Sequence, residues 1–263
     1  MFNIRNPVRI DQEQSAKSFP GVSGTGAAAG RIRILKHLQS ALEKHGNHDN
    51  NTAMTLNRKS AFDKAAAAWD EKPRRVRLAG DVANAVKSRI PLGPEMDALD
   101  FGCGTGLLTL ALQPFVRSIT GVDSSAGMLS MLAEKTQQQG VSNVDTRLLD
   151  IEQDEVLTGS YHLVVSSMTL HHIPQVEQLF DQFKNILIPG GYLGVADLDA
   201  EGGKFHEDNT GVFHFGFDRA ELARELTAAG FRDVADVTAS EITKQPAENH
   251  TESFTVFLLT ARA

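Results

Sequence analysis

Leu99-Asp100-Phe101-Gly102-Cys103-Gly104-Thr105-Gly106 decides how the chain folds. An apolar run that carries one acid ends in three glycines alternating with small residues. Without Cβ atoms, such a turn takes backbone angles closed to other residues and lets a ligand approach the main chain. Leu107-Leu108-Thr109-Leu110-Ala111-Leu112 follows as a buried helix, ended by Pro114, which lacks a backbone N–H. The reading is strand, tight turn, helix, with free N–H groups at the carboxyl edge of a parallel sheet. An ordinary tight βα turn has the same outline. A dinucleotide site would read G-x-G-x-x-G, whereas Leu107 stands where its third glycine belongs. The Gly-Lys-Ser/Thr of a phosphate-binding loop is absent.

The pattern continues outward from this turn. Ser118 to Asp123 reads as a second strand ending in an acid, about 20 residues past the glycines, where a carboxylate can accept from ribose hydroxyls. Ser124 or Ser125 caps a helix through Met128, Leu129 and Leu132, closed by Gly140. Thr146 to Asp150 reads as a third strand. Tyr161 to Ser167 reads as a fourth, buried on both faces, with Met168-Thr169-Leu170-His171-His172-Ile173-Pro174 as its exit. A helix through Leu179–Leu187 and the turn Pro189-Gly190-Gly191 lead to a fifth strand, Tyr192 to Leu198. Residues 197–216 are irregular and carry Phe205, Phe213 and Phe215; structureless stretches of that length are usually functional or disordered. Asp218 caps the next helix, with Glu221 at capping-box spacing. Two strands near Val234–Thr238 and Phe254–Thr260 close the chain, with Lys244 to Glu252 expected as a polar loop. This order predicts an α/β fold, a doubly wound seven-stranded, mostly parallel sheet with an antiparallel last strand near the edge.

Ahead of this domain, residues 1–53 are rich in Gly, Ser, Asn and His and read as a poorly ordered extension. Ile32, Leu35, Leu38 and Leu42 predict one short basic helix within it. Organelle targeting or partner docking are functional readings of that helix, but Asp11, Glu13, Glu43 and Asp49 oppose a transit peptide. The main domain is expected over 54–263, with helices at Ser60–Asp70 and from Arg74 to about Arg89. A net charge of −7 over 263 residues lacks the footprint of a general nucleic-acid binder. Cys103 is the only cysteine, so no internal disulfide or cysteine-built zinc site exists. No apolar run is long enough to span a membrane. A cytoplasmic location is expected.

Asp100-Phe101-Gly102-Cys103-Gly104-Thr105-Gly106 resembles the first motif of class I S-adenosylmethionine-dependent methyltransferases. Asp123, Asp150, the Ser166-Ser167 strand with its Leu170-His171 exit, and Pro189-Gly190-Gly191 are similar to that family's further features, in the same order. The small-molecule branch, including quinone-biosynthesis C-methyltransferases, is the nearest likeness. The resemblance implies that S-adenosylmethionine lies over Asp100, Gly102, Cys103, Gly104 and Gly106, with its ribose at Asp123 and Ser124. It implies Met128 and Ile151 against the adenine, Asp150 on the adenine amino group, and Ser166 where the cofactor approaches. Phe62-Asp63 and Trp69-Asp70 resemble the helix that covers the cofactor. The acceptor is expected to be a small molecule, methylated on carbon, oxygen, nitrogen or sulfur. His171, His172, His206 and His214 lie in the segments expected to frame it, and neutral imidazole can take a proton near pH 7. Asp197, Asp199 and Glu201 with His206 have the residue types of a divalent-cation site; acid runs are also ordinary solvated loop faces, and no metal is expected. An NAD-dependent oxidoreductase is disfavoured by Leu107, and a non-catalytic S-adenosylmethionine-binding regulator by the histidine-rich loops.

Overall fold

Alternation along the strands builds two cores, one on each face of a single sheet. The computed structural model describes residues 59–153, 155–247 and 250–263. The expected extension over 1–53, its helix through Ile32–Leu42 and the boundary after residue 53 lie outside them. The strands are β1 (Asp97–Phe101), β2 (Ser118–Asp123), β3 (Val144–Leu148), β4 (Tyr161–Ser167), β5 (Leu187–Leu198), β6 (Arg232–Ala247) and β7 (His250–Arg262). Their order is β3-β2-β1-β4-β5-β7-β6. β1 to β5 pair in parallel, and β7 runs antiparallel to both β5 and β6. This is the expected doubly wound sheet.

Leu99, Phe101, Val164 and Val195 face one core, closed by α4 (Val176–Ile186) through Phe180 and Phe183 and by α5 (Arg219–Ala228) through Leu222 and Leu226. Ala98, Leu163, Val165 and Ala196 face the other, closed by α1 (Pro73–Arg89) through Val82 and Val86 and by α2 (Leu107–Leu112) through Leu108 and Leu112. α1 starts on Pro73, whose missing N–H costs nothing at a helix start. Asp218 caps α5 by accepting from the Glu221 N–H. α3 (Ala126–Gln139) is capped by Ser125, not Ser124, and closed by a left-handed Gly140.

Four boundaries differ from the sequence reading. The third strand ends at Leu148, so Asp150 lies beyond it, in a short 3-10 turn entry. The helix at 60–70 is α-helical only to residue 65 and tightens to 3-10 over Ala66–Ala68. Pro189-Gly190-Gly191 does not precede the fifth strand but forms a bulge inside it. Pairing steps from Tyr161↔Leu187 to Leu163↔Tyr192, so β5 carries the extra residues, with Gly190 at φ 79°. Of the stretch expected as a polar loop, Lys244–Ala247 and His250–Glu252 are strand: they continue β6 and β7, with Lys244 directly opposite Glu252, and residues 248–249 lie outside the described residues. Opposed charges suit an exposed strand pair, so polarity there marks exposure, not irregularity.

Candidate functional site

The carboxyl edge of β1, β2, β4 and β5 gathers most of the sequence-predicted residues. Gly102 and Cys103 N–H both donate to the Val122 carbonyl, at 2.8 and 3.1 Å, which stitches the glycine turn to β2. Gly102, Gly104 and Gly106 all have positive φ, the conformation that favours glycine. They differ in what surrounds them. A Cβ on Gly102 would collide with Thr169, and one on Gly106 with Leu132. At Gly104 it would meet nothing within 4 Å, so this residue opens the main chain to a ligand.

Asp123 closes the turn. One carboxylate oxygen accepts from the Gly104 N–H and the other from the Ser125 N–H, each at 2.8 Å. Burial pushes its carboxyl up despite these bonds. Asp100 is fully buried and turned toward α2, where it accepts from the Thr109 hydroxyl at 2.6 Å; burial pushes its carboxyl up to about 7. The Cys103 side chain packs with Leu129 and Leu132, and burial pushes its thiol up. Ser166 spends its hydroxyl on the Phe101 carbonyl at 2.9 Å. Met128 is buried beside the cap that Ser125 makes to its N–H. Ile151 packs against the first core, next to Asp150.

The segment 59–70 lies across this edge. Lys59 Nζ is 3.0 Å from Asp150 Oδ2, which also accepts from Gln153. Asp63 accepts from the Ser125 hydroxyl at 2.5 Å and the Gly127 N–H at 2.9 Å. Asp70 accepts from Thr105 and pairs with Lys135. Trp69 stacks edge-on to Phe62 and lies under the Arg75 guanidinium, 3.4 Å from its ring centre. The repeated aromatic–acid pairs Phe62-Asp63 and Trp69-Asp70 are the only sequence mark of these contacts, and nothing marks Lys59.

Three of the four histidines come together. The centre of the His171 ring is 4.2 Å from that of His172 and 5.0 Å from that of His206, with Phe62 against His172. His171 Nδ1 is 2.7 Å from Asp197 Oδ1, and both side chains are buried, at 1% and 0% exposure. His206 is pushed down to about 4, by burial first and by neighbouring positive groups second. Its Nε2 is buried without a hydrogen-bond partner among the described residues. His172 Nδ1 bonds the Gly211 carbonyl at 2.8 Å. His214 stands apart, with Nε2 on the Ile173 carbonyl and its ring on Phe217. Met168, at φ 57°, is the bend that carries the chain from β4 to these histidines.

Sequence reasoning missed Asp197 as the partner of His171. The two are 26 residues apart and meet only because β4 and β5 are neighbours. The carboxylates considered as metal ligands are spent elsewhere: Asp199 on Arg219 and Thr255, and Glu201 on the N–H groups of 203–205. Among the described residues no group of three or more His, Cys, Asp or Glu is placed to hold a metal ion. None of their helices is long and apolar enough to cross a membrane.

Comparison with known proteins fits this geometry. Residues 98–191 match the family model described as "Methyltransferase domain". An uncharacterized methyltransferase of Schizosaccharomyces pombe is 34% identical over 118 residues, 42% of this chain and 42% of that protein. The ubiquinone biosynthesis O-methyltransferase of Marinobacter nauticus is 27% identical over 157 residues, 57% of this chain and 65% of that protein. The chain thus spans less than two thirds of the length of either relative. The solved DhpI–SAH complex has the same fold, with a TM-score of 0.57, 21% identity, and coverage of 78% of this chain and 94% of that one. The glycine turn stands at the switch between β1 and β4, inside the stretch 98–191 that matches the methyltransferase-domain model, and the sheet around it has the fold of that solved complex.

Proposed function

We propose that the domain transfers a methyl group from S-adenosylmethionine to a small-molecule acceptor. The observation that carries this reading is the open main chain at Gly104, with the Asp123 carboxylate beneath it at the point where strand order reverses. The residues present fit the cofactor. A carboxylate has about four lone-pair sites. The Asp123 carboxylate gives one to the Gly104 N–H and one to the Ser125 N–H, and the Ser124 N–H also bears on it, which leaves acceptor capacity for a ribose hydroxyl. The Asp150 carboxylate takes Lys59, Gln153 and the Glu152 N–H and retains one site for an adenine amino group. Met128 and Ile151 supply apolar surface beside them, Ser124 adjoins Asp123, and Trp69 with Phe62 covers the edge. Gly102, Cys103 and Gly106 shape the turn through their backbone, while Asp100 and Ser166 support it from below.

When bound, the cofactor supplies a methyl group on a sulfonium, which is already a strong electrophile. The chain has to bind, orient and keep water out. The 59–70 segment excludes water on one side, and the histidine cluster lines the other. That cluster favours catalysis over a regulator that only binds. Leu107 at the head of α2 and the family match favour S-adenosylmethionine over a dinucleotide. The acidic charge and single cysteine accord with a cytoplasmic enzyme that acts on small molecules and not on nucleic acid.

Calorimetry tests the reading. The wild-type chain should bind S-adenosylmethionine in preference to NAD, and Asp123→Ala should weaken that binding by about 1.5–3 kcal/mol, the scale of charge-assisted hydrogen bonds. Binding of NAD alone, or unchanged affinity in the variant, would overturn it. A screen with labelled cofactor then identifies acceptors.

A further inference from the structure

We propose that Asp197 is a positioning residue that fixes His171 as a proton acceptor, and that Asp197, His171 and His206 together select a neutral hydroxyl, phenolic or enolic, as the group to be methylated. This rests on the methyltransferase reading and names its acceptor.

The geometry begins at the end of β5. The Asp197 carboxylate is wholly buried and accepts from the Leu198 N–H at 2.7 Å and the His171 N–H at 3.3 Å. Its third partner is His171 Nδ1, at 2.7 Å. An ionised carboxylate only accepts, so Nδ1 carries the proton and Nε2 carries the lone pair. Among the described residues nothing hydrogen-bonds that Nε2. A histidine oriented by a buried carboxylate is the arrangement by which an imidazole acts as base. The His171 ring packs against both His172 and His206, which also touch each other, and those rings in turn against Phe62 and Phe205.

His206 sets the polarity of the acceptor. It remains neutral at pH 7, so it offers a hydrogen bond and no charge. Its buried Nε2 lacks a partner among the described residues, and a substrate that reaches the cluster supplies one. The charges around the cluster narrow the choice. Lys244 lies 3.9 Å and Arg74 6.0 Å from the centre of the Phe205 ring, which is itself edge-on to His206. These cations oppose a cationic amine. The buried Asp197 carboxylate opposes an anionic acceptor. A neutral hydroxyl is opposed by neither, and it is also the acceptor that needs a base, since the oxyanion is a far better nucleophile than the hydroxyl. In the balanced step the acceptor O–H bond breaks, the proton moves to His171 Nε2, and the electron pair left on oxygen forms the new bond to the methyl carbon; with S-adenosylmethionine bound, the methyl–sulfur bond would break in that displacement, its pair would stay on sulfur, and the neutral thioether S-adenosylhomocysteine would leave. The imidazolium then releases that proton to solvent, so one proton appears in solution for each methyl gained by the acceptor.

The test uses the full chain and has two arms. Nitrogen NMR of histidine-labelled protein, without cofactor, reads the tautomer. His171 should be the Nδ1–H form, and Asp197→Ala should move it toward Nε2–H. A wild-type His171 in the Nε2–H form overturns the role of Asp197. The second arm measures turnover with ring-substituted phenols, whose hydroxyl pKa runs from well below the assay pH to about 10, the value of a tyrosine phenol. An aniline and a benzoate serve as contrasts. His171→Ala and Asp197→Ala should lower kcat by roughly 10²–10⁴-fold for phenols that are un-ionised at the assay pH. They should lower it only a few-fold for phenols already ionised. His171→Gln should show the same dependence, which guards against an Asp197 variant that folds poorly. Equal losses across the series would mean a structural role and overturn the proposal. So would turnover of only the aniline or the benzoate, or cofactor binding with no phenol methylated. If the wild-type chain binds no S-adenosylmethionine, the methyltransferase reading fails, and the tautomer arm still reports on Asp197 by itself.

Discussion

On the β1–β2–β3 side the carboxyl edge is made largely of main chain. Gly102, Cys103 and Gly104 N–H groups are tied to Val122 and Asp123, and the side chains of Asp100, Cys103 and Met128 turn inward to pack. On the β4–β5 side the edge is made of side chains: three imidazoles, one carboxylate and the phenylalanines that hold them. The first half suits a ligand recognised through backbone atoms that no substitution removes. The second half suits a ligand that varies, recognised through groups that one substitution changes. Perturbing the main-chain half should therefore register first as stability, and perturbing the side-chain half first as rate.

The largest stability effect expected lies at Asp100. Its carboxyl is pushed up to about 7 by burial, against an ordinary value of 3.8. A carboxyl whose folded pKa is raised contributes stability that is complete below the unfolded pKa and lost as pH rises through the folded one. The window therefore runs from about pH 4 to about pH 7, and three pKa units correspond to about 4 kcal/mol. Asp100→Asn keeps an acceptor for the Thr109 hydroxyl and removes the charge. Denaturant unfolding from pH 4 to pH 8 should show the wild type losing stability that the variant retains, so that the variant is the more stable of the two at pH 8. Parallel curves would show that the Asp100 charge does not load this half of the edge.

Gly106→Val comes next, at roughly 3 kcal/mol lost. A β-branched residue at φ 80° is strained, and its Cβ would lie 2.2 Å from a Leu132 methyl in a packed helix. Gly104→Ala has the same sign of φ but open space around the new carbon, so it should cost only about 1 kcal/mol in folding while obstructing the cofactor. Urea midpoints and calorimetry on the two variants separate fold from ligand. Equal losses of stability, or unchanged cofactor affinity in Gly104→Ala, would break the assignment of Gly104 as the open member of the turn.

The same contrast explains what the sequence makes legible. Local rules suffice for the main-chain half. Glycine spacing fixes the turn, apolar runs fix β1, β2 and β4, and an acid at the end of β2 follows from spacing alone. The sheet order follows because short right-handed crossovers leave few topologies. The capping serine is Ser125 and not Ser124 because its hydroxyl accepts from the Met128 N–H, a distinction that composition does not carry. The β6–β7 hairpin is hidden because its residues are polar, and polarity records exposure, not backbone shape. In the side-chain half, His171 and Asp197 carry no shared spacing, since a strand and a helix separate them. His214 has the same residue type and loop as His206, yet a carbonyl and Phe217 hold it away from the cluster.

The smallest effect belongs to Lys59, where the two halves are bridged by one helix. Its ammonium lies 3.0 Å from the Asp150 carboxylate, with Lys59 about a quarter exposed and Asp150 nearly buried. An ion pair with this much solvent access contributes below about 1 kcal/mol. That ammonium takes one of the acceptor sites on Asp150 Oδ2, so its removal offers the adenine amino group a second site beside the one retained on Oδ1. Lys59→Met keeps the apolar stem against the edge and removes the charge, so the melting temperature should fall slightly while S-adenosylmethionine binds about two- to fivefold tighter, the factor that corresponds to under 1 kcal/mol. The gain should shrink in 1 M salt, where screening acts over about 3 Å and the wild-type pair is already weakened. Calorimetry at low and high salt makes both comparisons. Weaker binding in the variant would mean that Lys59 works for the cofactor and not against it, and that the 59–70 segment is part of the adenosine site rather than a competitor lying over it.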